Sequence, residues 1–158
     1  CKCGFLSDPA RACARVPHCG DDYLSRISGP LMDRFDLRVE VPPVQFQDLD
    51  LPETGDSSAI IGARVAAARA IQTERFARLK KIRTNADAEG RLLDEVAAFD
   101  TECREMLVRA AERFGLTARG FHRIRRVART IADLAGSEDI RPPHLAEALS
   151  FRLVGRKS

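Results

Sequence analysis

At 158 residues the chain can bury one good core or two small ones, so length alone leaves one or two domains. With 31% charged residues, 6% aromatics, no Trp and one Tyr, the composition excludes a disulfide-stapled miniature and fits a mainly α protein better than a sandwich or barrel. A net charge of +3 falls short of the concentrated basic patch of a dedicated nucleic-acid binder. No apolar run approaches the roughly 20 residues that span a bilayer and no secretory signal opens the chain, which makes no membrane association and a cytoplasmic setting the expectation.

Residues 1–22 are punctuated by Cys, Pro and Gly without a helical period and read as a compact loop, with a helix disfavoured. Cys1, Cys3, Cys13 and Cys19 fall in this stretch. Four thiolates suit tetrahedral Zn2+, and a small loop with little to bury would gain order from the metal. His18 could stand in for Cys19. The spacing is looser than two Cys-x-x-Cys knuckles, so a structural zinc site, free thiols and a disulfide all remain open. A short helical segment fits residues 23–32, interrupted at Ser28-Gly29-Pro30. Phe35, Leu37, Val39 and Val41 then alternate with Asp36, Arg38 and Glu40, the period of a strand, which Pro42-Pro43 ends.

Residues 45–57 are acidic and turn-rich and mark the best domain boundary, giving units 1–44 and 58–158 joined by a linker. Ser57 or Ser58 can cap a helix over residues 58–81, whose apolar stripe is Ile61, Val65, Ala68, Ile71, Phe76 and Leu79. Helical segments follow at residues 92–99 and 100–114, the latter ended by Gly115. Thr117 precedes a helix that runs to about Ala135 and stops at Gly136, and Pro142-Pro143 opens the last helix, through Phe151. Cys103 sits beside apolar positions as a small core residue. His122 and His144 have no acid or nucleophile at a telling spacing and receive no catalytic role.

The run from Arg26 to Leu37, with Leu31-Met32-Asp33-Arg34-Phe35 leading into a strand, resembles a segment of the magnesium-chelatase and minichromosome-maintenance branch of AAA+ ATPases. Gly115-Leu116-Thr117-Ala118-Arg119, followed by the run from Ala128 to Ala135, resembles the lid helix of the same branch. With Cys1-Lys2-Cys3-Gly4 ahead of both, the chain is most similar to the magnesium-chelatase-like, competence-associated ATPases of bacteria. The resemblance implies the C-terminal part of a longer subunit: the end of an AAA+ α/β core with one strand and the Cys-rich loop, then an α-helical lid. It implies ATP and Mg2+ as cofactors, neighbouring subunits of a homo-oligomeric ring as partners, and DNA contacted through upstream segments. No Gly-x-x-x-x-Gly-Lys-Ser/Thr run occurs here, so the phosphate loop is expected upstream and the fragment alone should be inactive.

By this resemblance Arg34 is an arginine finger, offered to the nucleotide of a neighbouring subunit. Its plainer reading is a junction arginine bonded to a helix carbonyl, Asp33 or Asp36. Arg119 is by resemblance the sensor-two arginine; a cation at the start of a helix opposes the macrodipole, which a purely structural role does not explain. Its plainer reading is a solvated arginine. Arg123, Arg125, Arg126 and Arg129 read as the solvated or subunit-contacting face of an amphipathic helix rather than a nucleic-acid patch. Two functions of other kinds stay open: a zinc-bearing helical interaction module without hydrolysis, and a true metal-chelatase ATPase subunit, against which the Cys-x-Cys-Gly start argues.

Overall fold

The computed structural model describes residues 4, 5, 8, 10–39, 41, 44, 46–49 and 55–153. These form helices α1 (His18–Leu24), α2 (Gly29–Met32), α3 (Ser58–Arg75), α4 (Gly90–Val96), α5 (Thr101–Phe114), α6 (Ala118–Leu134) and α7 (Pro142–Leu153), with short 3-10 turns at Phe46–Asp48 and Asn85–Asp87. No helix among them is long and apolar enough to cross a membrane.

Local chemistry sets the helix ends. The Ser57 hydroxyl accepts from Ile60 N at 3.4 Å, the Asp100 carboxylate from Cys103 N at 2.7 Å and the Thr117 hydroxyl from Gly120 N at 3.0 Å. Each side chain satisfies an amide that the first helical turn leaves without a backbone acceptor. Gly115 closes α5 at φ 56°, in the left-handed region that glycine adopts without steric cost.

α6 is the central element and packs against α3, α4 and α7. It presents Ile124, Ala128 and Ala132 on one stripe, while α5 contributes Cys103 and Leu107, and α7 contributes Leu145, Ala148 and Leu149. The alanines let α6 and α7 approach closely. Leu93, Leu107, Ile124 and Leu145 are fully buried and anchor the core, each contributing about 1.5–3 kcal/mol by removal from water. Cys103 is equally buried, with its thiol pushed up to about 12 by burial and by neighbouring Asp100, so it is packing material and no nucleophile.

Three local expectations are corrected. Residues 18–22 are helical, where a loop was expected, and join residues 23–24 in α1: Pro17 sits at the α1 N-cap and the turn is tied by an Arg15–Asp22 contact. Residues 35–39 form no strand, because no strand among the described residues lies alongside to complete a ladder. The backbone there is held instead by Arg38 N donating to Phe151 O at 2.9 Å. The helix from residue 58 stops at Arg75, not Lys81, because the chain turns at Phe76 to put that ring in the core. Its predicted stripe is core only in its middle: Ala68 and Phe76 are buried, whereas Ile61 and Val65 are each 46% exposed and Leu79 is exposed as well.

Arg123, Arg125, Arg126 and Arg129 of α6 are not a solvated face. Arg125 donates to Asp94 at 2.6 Å and to Ala97 O at 3.0 Å, and Arg126 donates to Ala88 O at 2.9 Å. Arg129 is buried and donates to Ser137 O at 2.6 Å and Glu138 O at 2.7 Å, closing the loop after α6. It also donates to Asp133 at 3.0 Å. Asp133, whose carboxylate is wholly enclosed, accepts from both nitrogens of Arg75 at 2.9 and 2.6 Å and from the Asn85 amide at 2.7 Å. α3, the turn before α4, and α6 therefore meet at one satisfied buried carboxylate.

Candidate functional site

Arg34 lies on the turn after α2. Its backbone N donates to Leu31 O at 2.9 Å and its side chain is exposed. That guanidinium makes no hydrogen bond or ion pair among the described residues. The carboxylates that a structural Arg34 would need are engaged by others: Asp33 contacts Arg152 and the Thr117 hydroxyl, and Asp36 accepts from Arg123 at 2.5 Å.

Arg119 is the second residue of α6, exposed and likewise without an ion pair among the described residues. It lines an open cleft of about 300 Å³ with Leu93, Asp94, His122, Arg123 and Arg126. The Asp33 carboxylate sits against Thr117 at the head of α6, where negative charge is favoured and offsets the adverse placement of Arg119 on the macrodipole. Arg34 and Arg119 thus lie one and two residues from the two ends of a single contact. Neither guanidinium has a counter-ion among the described residues, which leaves both available to an external anion.

Among the described residues no group of three or more His, Cys, Asp and Glu is placed to hold a metal. Cys13 and Cys19 are half-buried on the loop and first turn around α1, and Cys1 and Cys3 lie outside the described residues. His144 accepts from Arg141 N at 3.1 Å and so caps α7.

Sequence reasoning missed Arg152, Gly120 and the second use of Thr117. Arg152 is 2% exposed and donates to Phe35 O at 2.5 Å and Asp33 O at 3.2 Å besides its contact with the Asp33 carboxylate. One sequence signal was available: a glycine inside a strongly helical pattern, such as Gly120, usually has a packing reason.

Residues 55–152 match the family described as magnesium chelatase, subunit ChlI C-terminal, and residues 1–49 match magnesium chelatase, subunit ChlI. The chain is 40% identical over 137 residues to competence protein ComM of Haemophilus influenzae, covering 85% of the chain and 26% of that protein. It is 38% identical over 137 residues to the uncharacterized protein YifB of Escherichia coli, with the same coverage of 85% and 26%. A Mycobacterium bovis protein, the uncharacterized Mb2921c, is 37% identical over 135 residues, again at 85% and 26%. The chain thus spans about a quarter of the length of these relatives. With a helical lid-like bundle over the matched residues and the family pattern running through both halves, the chain belongs to the magnesium chelatase ChlI family, of the AAA+ ATPase type.

Proposed function

We propose that the chain supplies the end of an AAA+ core (residues 1–44), a linker (45–57) and the helical lid (58–158) of a subunit that hydrolyses ATP at the interfaces of a homo-oligomeric ring. The observation that carries this reading is the pair Arg34 and Arg119, exposed and uncompensated on either side of the Asp33–Thr117 contact. Arg34 acts on the transition state as the finger presented to a neighbour. Arg119 holds the γ-phosphate from the lid and links nucleotide state to lid angle. The phosphate loop and the Mg2+ ligands come from the remainder of the full-length protein, since no such motif occurs in this sequence. The work done is DNA remodelling, including branch migration, in keeping with a relative named for competence.

The test is ATP hydrolysis by the full-length protein with and without DNA. DNA should accelerate turnover, and Arg119→Ala should reduce it about 100-fold with helix content unchanged. Unchanged turnover in that variant would return Arg119 to the solvated surface, and an inactive full-length protein lacking a phosphate loop would leave a non-hydrolytic interaction module. We further propose that Cys13 and Cys19 share a structural zinc with Cys1 and Cys3. Elemental analysis of protein purified without added metal should find close to one zinc per chain, and four freely titrating thiols in metal-free protein would remove the site.

A further inference from the structure

Arg152 stands near the end of α7, yet each hydrogen bond of its guanidinium to described residues goes to the turn that carries Arg34. It grips the carbonyls of Asp33 and Phe35, the residues immediately before and after Arg34, and the Asp33 carboxylate as well. The other oxygen of that carboxylate accepts a hydrogen bond from the Thr117 hydroxyl, while the same hydroxyl oxygen accepts from Gly120 N. One continuous chain of contacts therefore runs from α7 through the Arg34 turn to the first turn of α6, where Arg119 stands.

The path depends on Gly120. A Cβ at that position would lie 3.0 Å from Arg152 Nη2, so a side chain there would press on the guanidinium. A planar fork is also needed: a lysine ammonium is a point donor and cannot serve two carbonyls and a carboxylate in this geometry. Two neighbouring ties, Arg123 to Asp36 and Arg38 N to Phe151 O, run between the same turn and the same two helices.

We propose that Arg152 is a positioning residue that, through Asp33 and Thr117, holds the Arg34 turn in fixed relation to the Arg119 end of α6. This rests on the reading of Arg34 and Arg119 as phosphate-directed arginines. Because the Arg152 guanidinium is buried and engaged by Asp33 and Phe35, its loss misplaces Arg34 without removing it, and misplacement by about 1 Å is enough to cost up to 100-fold in turnover.

The experiment compares Arg152→Gln, Arg34→Ala and the double variant in the full-length protein, reading kcat and KM for ATP and thermal unfolding. Arg152→Gln should lower kcat about 10–100-fold while KM stays within a few-fold. Added to Arg34→Ala, it should cause no further loss, because both act through one guanidinium. A kcat unaffected by Arg152→Gln, or losses that multiply in the double variant, would overturn the proposal. Should Arg152→Gln fail to fold, Gly120→Ala decides: alanine favours a helix, so a merely structural site predicts unchanged turnover, whereas the positioning role predicts a several-fold fall in kcat. If Arg34→Ala itself leaves turnover intact, the finger reading fails and amide exchange judges the positioning claim. The amides of Arg34 and Phe35, bonded to Leu31 O and Met32 O, should then exchange about 10-fold faster in the Arg152 variant with α5 unchanged; equal protection would refute it.

Discussion

Replacing Arg34 with Ala in the full-length protein is expected to lower ATP hydrolysis by about 10³–10⁵-fold, the range in which finger arginines act. Nucleotide binding and ring assembly should largely persist. The reason is geometric: the side chain is exposed and uncompensated, so its removal takes nothing from the fold. Neither Asp33 nor Asp36 loses a partner, since Arg152 and Thr117 engage the first and Arg123 the second. A cation held free of its own subunit's acids acts on charge that develops in the transition state, and the loss then falls on kcat rather than on ground-state affinity. Equal losses in kcat and in nucleotide affinity would instead describe a binding arginine.

Asp133→Ala should have the largest effect on stability, about 3–5 kcal/mol, read as a fall in unfolding temperature and in denaturant midpoint. The substitution leaves the half-buried Arg75 and the buried Arg129 without their shared carboxylate and deprives the Asn85 amide of one of its two acceptors, the other being the Thr130 hydroxyl. Asp94→Ala should change unfolding little, because the Asp94 carboxylate is exposed to solvent while Arg125 keeps its bond to Ala97 O. A matching pH dependence is expected. Burial acts to raise the Asp133 carboxyl, but hydrogen bonds from Arg75 and Asn85 and the charge of Arg129 outweigh it and hold the group below its ordinary 3.8. A folded-state value below the unfolded one stabilises at neutral pH, and that contribution is lost as pH falls below about 3.8 through the folded value. The Asp133→Ala variant should lack that portion of the acid transition.

The helix ends marked by a cap or a glycine were legible because they are local, unlike the α3 end at Arg75. Ser57 and Thr117 cap where a side-chain oxygen must meet a free amide, and Gly115 and Gly136 stop helices at positive φ. The strand was misread over residues 35–39 because alternation describes a side chain's preferred environment, while a strand requires a partner. Leu37, Val39 and Val41 are exposed, at 52%, 66% and 83%. Ile61 and Val65 repeat the lesson on α3: periodicity marks a surface to be covered without saying that this chain covers it. Arg129 and Asp133 stand four apart on α6, a spacing that reads as an ordinary surface pair. Only the arrival of Arg75 and Asn85 from distant sequence makes it a buried centre. The resemblance marked Arg34 and Arg119 as the residues to examine, but their common anchorage at Asp33 and Thr117 joins positions 84 residues apart and had no local signal.

The central claim is that Arg34 acts on a neighbour's nucleotide, and subunit mixing tests it most directly. Arg34→Ala subunits would be combined with subunits defective only in their own phosphate loop, each inactive alone and each competent to assemble. Mixed rings should regain a measurable fraction of ATP hydrolysis, because some interfaces then pair an intact loop with an intact arginine. Mixed rings that assemble yet remain as inactive as either parent would contradict the account and leave Arg34 without a role across the interface.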